Sequence, residues 1–176
     1  MSVYSFQKPI LKKSTKKIDV FNEKQEIIGS IQRFYKNKIE FIIDNIFDEF
    51  FVNVEVFDEN QVSIAKATEI ISASTFLRSK WKLEYNGNKE IIINDITKIK
   101  TNPIFQITVG QNQYKLEKDF ADKRVRIVNA ENKCIAMITY NKLIPPTTIT
   151  INLSKEEKDL SITLISCIYY IFSLKD

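Results

Sequence analysis

The chain closes on "KDLSITLISCIYYIFSLKD" (residues 158–176), and the reading of this stretch decides the fold. Leu160 to Leu174 is fifteen residues without a charge, a Gly or a Pro, and Asp159 and Lys175 stand on either side. On a helix its apolar residues cover every side, and a helix apolar all round is buried in a core or in a membrane. Fifteen residues at 1.5 Å each span roughly 22 Å, short of the roughly 20 residues that cross a bilayer. Ser161, Thr163, Ser166, Cys167 and Ser173 dilute it further. No transmembrane span is expected. The segment reads as a helix inside the protein's own core, with Leu160, Leu164, Ile165, Ile168, Tyr169, Ile171 and Phe172 as core residues; a short anchor and a partner-binding helix are the alternatives. Ser154 and Glu157 match a capping box, which places the helix at 154–174.

Upstream, residues 1–153 read as strands. "FFVNVEVF" (50–57) and "KWKLEY" (80–85) alternate apolar and polar residues and are rich in β-branched and aromatic types. Asn86-Gly87 in "WKLEYNGNKEIIIN" marks a tight hairpin, since a type I′ turn needs two positive φ angles. Three segments also repeat: VFNEKQEIIGSI (20–31), VFDENQVSIAKA (56–67) and IVNAENKCIAMI (127–138). Each carries Asn22, Asp58 or Asn129 ahead of a polar turn, then Ile28, Ile64 or Ile135, then Gly29, Ala65 or Ala136. That is strand, Asx turn, strand, with a small residue where the backbone packs closely. Many short strands followed by one apolar helix imply an antiparallel barrel wide enough to enclose that helix.

With 176 residues, 44% of them hydrophobic and 27% charged, the chain has the length and composition of one well-cored domain over 1–176. Cys134 and Cys167 make no disulfide framework and read as small buried hydrophobes in a reducing compartment. The N-terminus lacks a secretion signal's apolar core, so a cytoplasmic location is expected. The absence of His excludes Ser-His and Cys-His dyads and His metal sites. No phosphate-cradling Gly loop is present, and the patterns of RNA-binding and helix-turn-helix modules are missing, which argues against nucleic acid. No cofactor or metal site is expected. Asp44, Asp48 and Glu49 match no Ca²⁺ loop spacing and read as an acidic loop.

Charge is unevenly distributed. Residues 1–40 carry nine Lys/Arg against four acids, 41–60 carry six acids and no base, and 97–126 carry seven Lys/Arg against three acids. Three basic groups are candidates for contact with phosphate. Lys8, Lys12, Lys13, Lys16 and Lys17 run without an intervening acid. Lys98 and Lys100 would share one face of a strand. Lys123, Arg124 and Arg126 would turn outward while Val125 and Ile127 face in, the two Arg offering forked donors. The same residues also suit a solvated barrel exterior or the protection of a strand edge.

The hairpins of the form "DVFNEKQEIIGSIQRFYK", the segment "TKIKTNPIFQITVGQNQYKLEKDFADKRVRIVN" and the terminal "TITINLSKEEKDLSITLISCIYYIF" together resemble the tubby C-terminal-domain-like superfamily. That group includes plant LURP-one-related proteins, phospholipid scramblases and small bacterial proteins. The resemblance implies a barrel of roughly twelve strands around a hydrophobic C-terminal helix, and a role at phosphoinositide-bearing or other membranes. The chain lacks the scramblases' Cys-rich palmitoylation segment and their Asp-rich loop. The expected function is a non-enzymatic binding module that meets anionic phospholipid headgroups through exterior Lys and Arg, peripheral at the inner face of the membrane. A protein-interaction or regulatory scaffold is the main alternative, and a small-ligand binder or an enzyme comes third.

Overall fold

A computed structural model describes residues 2–47, 50–72, 78–87, 89–142, 146–154 and 159–175. Strands β1 (Ser2–Lys8), β2 (Ile18–Phe21) and β3 (Ile27–Phe34) come first, followed by helix α1 (Lys38–Ile46). Then come β4 (Asn53–Phe57), β5 (Ser63–Glu69), β6 (Lys80–Tyr85) and β7 (Lys89–Asp95). Strands β8 (Ile104–Val109), β9 (Asn112–Lys118), β10 (Val125–Asn129), β11 (Cys134–Tyr140) and β12 (Thr147–Leu153) precede helix α2 (Ile162–Lys175). Each strand pairs antiparallel with its neighbours in sequence, and β1 pairs with β12 from Ser2↔Leu153 to Lys8↔Thr147, closing a barrel. Closure leaves no edge for lysines to protect. The β1–β2 seam is the shortest, with only Ser5↔Phe21 and Phe6↔Val20 paired.

The helix α2 runs through the barrel. Every residue from Thr163 to Phe172 is buried, and so is Leu174. The seven expected core residues, Leu160 to Phe172, are at most 4% exposed. Most strands bury alternate residues, as in β12, where Thr147, Ile149, Ile151 and Leu153 face in. Ring contacts tie wall to helix: Trp81 packs on Phe105 at 5.3 Å, and Phe105 meets Phe172 edge-on at 5.1 Å. At about 1.5–3 kcal/mol per fully buried large apolar side chain, this filled lumen dominates the stability.

The helix starts later than its capping signature indicates. Ser154 lies in a bend, and residues 155–158, Glu157 among them, fall outside the described residues. Ser161 is the cap: its Oγ accepts from Leu164 N at 3.3 Å and its carbonyl from Ile165 N at 2.9 Å.

The three repeated segments form three matching hairpins, β2–β3, β4–β5 and β10–β11. In each, the Asx side chain accepts two backbone N–H bonds. Asn22 Oδ1 takes Lys24 N and Glu26 N, Asp58 Oδ1 takes Asn60 N and Val62 N, and Asn129 Oδ1 takes Glu131 N and Lys133 N. Each has a register shift at the end of its first strand. Gln25, Gln61 and Asn132 share a φ near +60°. Gly29 is required by packing, because a Cβ there would sit 2.6 Å from both Phe57 O and Thr163 Cγ2. Asn86 and Gly87 do take positive φ, but Tyr85 pairs with Lys89, which makes that loop one residue longer than a two-residue turn.

Helix α1 corrects the reading of this region as strands and an acidic loop. Asn37 Oδ1 caps it through Glu40 N at 2.9 Å. Cys134 is another correction: it is half-buried, whereas Cys167 is fully buried.

Candidate functional site: the loop end of the barrel

An all-antiparallel barrel with consecutive strands puts alternate connections at opposite ends. The links β1–β2, β3–β4, β5–β6, β7–β8, β9–β10 and β11–β12 therefore share one end, hereafter the loop end. The short turns of the repeated hairpins lie at the other, the turn end. Charge separates the same way. The six connections of the loop end carry twelve Lys/Arg against six acids, a net +6. Those of the turn end, including 154–161, carry four against eight, a net −4.

This topology brings together residues that the sequence left scattered. Lys8 ends β1, and Lys12, Lys13, Lys16 and Lys17 occupy the β1–β2 loop. Lys98 and Lys100 lie in the turns of the β7–β8 loop, not on a strand, and both are exposed. Lys123 and Arg124 belong to the β9–β10 loop, and Arg126 opens outward from β10 beside the buried Val125 and Ile127.

They are not equally disposed toward a ligand. Lys17 turns back along the wall, where its Nζ donates to Gln61 Oε1 at 2.8 Å and sits 3.7 Å from the Phe57 ring centre. Arg124 is clamped by Asp122, with Nη2 on Oδ2 at 2.8 Å and Nε on both oxygens at 3.0 Å. Those hydrogen bonds hold the Asp122 carboxyl below its ordinary pKa. Arg126 Nη2 donates to Asp119 Oδ2 at 2.8 Å and reaches Glu117 Oε1 at 3.2 Å. The forked donors expected to face phosphate are therefore committed to local carboxylates.

Sequence reasoning missed Lys118 and Lys142. With Lys8 and Lys12 they line a cavity of about 400 Å³ at the mouth, between α2 and the wall, together with Tyr140 and Tyr169. No carboxylate lines it among the described residues. Lys8 Nζ also donates to Ser173 O at 2.6 Å, where the negative end of the α2 dipole emerges. Lys118 follows the alternation of β9 and Lys142 precedes "LIPP"; counting strands to assign each loop to an end would have found both.

Helix α1 covers another part of the mouth and is held by buried polar contacts. Asp44 Oδ2 accepts from Arg33 Nη2 at 2.8 Å and from Tyr35 OH at 2.7 Å, and its Oδ1 from Phe51 N at 3.1 Å. Arg33 also donates to Lys12 O and Phe51 O, both at 2.7 Å. Burial, and then the bond to Asp44, push the Tyr35 hydroxyl pKa well up. Glu40 accepts from Lys36 N at 2.8 Å and Asn53 Nδ2 at 3.0 Å, and Asn53 Oδ1 accepts from Glu69 N at 2.9 Å. Lys175, ending α2, pairs with Glu69 at 3.0 Å. Asp44 is thus committed to the fold; Asp48 and Glu49 lie outside the described residues. No helix among the described residues is long and apolar enough to cross a membrane.

A closed twelve-stranded antiparallel barrel filled by its own C-terminal helix defines a distinct class of domain. The chain belongs to the Tubby C-terminal like domain family, whose profile matches residues 4–176. Among solved structures it is similar to an Arabidopsis thaliana protein solved by X-ray, with a TM-score of 0.50 and 5% identity over 97% of this chain and 90% of that one. That likeness concerns the fold alone. None of the curated proteins compared matches the chain.

Proposed function

We propose that this protein is a peripheral, non-enzymatic module that binds anionic phospholipid headgroups with the loop end of its barrel, at the inner face of a membrane. One observation carries the reading: the basic groups converge on one end, with +6 in its connections against −4 at the other. A charge dipole of this kind orients the molecule as it approaches an anionic surface. Near such a surface each Lys contributes about 1 kcal/mol. The mouth cavity supports the reading, because Lys8, Lys12, Lys118 and Lys142 surround a space large enough for a phosphate-bearing headgroup. The buried helix fills the lumen that a small-ligand carrier would leave open.

The test replaces Lys98, Lys100, Lys123 and Lys142 with Gln, all four being exposed and outside the core. Stability stays within about 1 kcal/mol, as for other exposed charges. Binding to anionic vesicles weakens by up to about three orders of magnitude, from roughly 1 kcal/mol per Lys. Binding unchanged from wild type contradicts the proposal.

A further inference from the structure

The α1 helix is inside out. Its buried residues are Glu40 and Asp44, while Ile39, Phe41, Ile42 and Ile46 are each at least half exposed, and Phe47, just beyond the helix, is 61% exposed. Glu40 and Asp44, four residues apart, share the face pinned to the barrel; Ile39, Ile42 and Ile46 form a separate stripe. A helix meeting only water would gain by turning its carboxylates out and its isoleucines in. The Arg33, Asn53 and Phe51 contacts hold it the other way.

The stripe does not stand alone. Ile10 and Leu11 are about 70% exposed in the β1–β2 loop, which reaches α1 where Lys13 Nζ donates to Asn45 O at 3.4 Å. Around the rim, Ile71, Ile99 and Phe120 are exposed in the β5–β6, β7–β8 and β9–β10 loops. Ten of the twelve exposed large apolar side chains among the described residues thus lie at the loop end; Ile27 and Val62 are at the turn end. Apart from Ile71, each loop-end group has cations close in sequence. Lys12 and Lys13 follow Leu11, Lys98 and Lys100 flank Ile99, Lys36 and Lys38 precede Ile39, and Lys123 follows Phe120.

Resting on the reading above, we propose that the loop end inserts these apolar tips and the outer face of α1 below the headgroups of an anionic bilayer, so that the barrel stands end-on. Apolar tips alternating with lysines suit a layer in which ammonium groups stay at phosphate level while their neighbours enter the acyl boundary. A protein partner fits this pattern less well, since Lys is depleted from the cores of protein interfaces. Phosphatidylglycerol-containing and neutral vesicles are the probes.

The experiment places a reporter at Ile42→Trp and a second, across the mouth, at Ile99→Trp. The native Trp81 is fully buried and serves as an unchanging background. With phosphatidylglycerol vesicles both reporters shift to the blue and are quenched by brominated acyl chains, and the pair Ile42→Ser/Phe47→Ser weakens binding about tenfold or more. Vesicle binding with unquenched reporters, and with the Ser pair binding like wild type, overturns insertion while leaving headgroup binding intact. Protection of Ile42→Trp that rises with protein concentration and needs no vesicle overturns it in favour of contact between copies of the chain. No co-flotation of the wild type with anionic vesicles removes the underlying function, and insertion with it.

Discussion

Replacing Asp44 with Ala removes the pin that holds α1 inside out. Asp44 and Arg33 are both fully buried, and the substitution takes an acceptor from Arg33 Nη2, Tyr35 OH and Phe51 N at once. Arg33 keeps its two carbonyl partners, Lys12 O and Phe51 O, but loses its counter-charge, and its Nε already lacks a partner among the described residues. Breaking a buried pair by removing one member costs about 3–5 kcal/mol. That is a large share of the roughly 5–15 kcal/mol that holds a domain together. For a chain of this length it lowers Tm by about 6–20 °C. Urea denaturation followed by Trp81 fluorescence reads the loss, with circular dichroism confirming the barrel. The double variant Arg33→Met/Asp44→Leu recovers the part due to the stranded charge, while Tyr35 OH and Phe51 N still lack their acceptor. A loss below about 1 kcal/mol, the range of an exposed pair, refutes the reasoning. So does strict additivity of the two single variants.

Other consequences lie at the turn end. Gly29→Ala destabilises by about 1–3 kcal/mol as a case of overpacking, since its Cβ would meet a backbone carbonyl and Thr163 of the central helix; a denaturation midpoint equal to wild type contradicts that. Asp159, which Lys89 and Asn112 both reach, has its carboxyl pKa lowered chiefly by the Lys89 hydrogen bond. A lowered pKa adds stability above the unfolded carboxylate pKa and loses it as pH falls through the folded one. Stability against pH for Asp159→Asn therefore approaches wild type in acid and falls below it, modestly, toward neutrality; parallel curves would show that the pair contributes nothing.

The central helix could be read from the sequence because burial on all sides demands apolar residues on all sides, and Leu160 to Leu174 supplies them. The three hairpins could be read because an Asx side chain accepting two N–H groups leaves a local signature at Asn22, Asp58 and Asn129. Helix α1 was hidden for the converse reason. Its buried face is Glu40 and Asp44, satisfied by Arg33 and Asn53 from β3 and β4, and no local pattern reports a buried charge whose partner is remote. The basic groups were visible as residues but not as a site. Arg124 and Arg126 lose standing to carboxylates that only the folded loop brings near, while Lys118 and Lys142 gain it from a cavity shared across three connections.

The central question is whether the loop end meets an anionic lipid surface. Co-flotation of the purified wild-type protein with neutral and phosphatidylglycerol-containing vesicles, at low and high salt, measures this directly. Flotation with the anionic vesicles alone, weakening as salt screens the +6 end, is the result the account predicts. Flotation with neither vesicle, or equally with both at any salt, contradicts it.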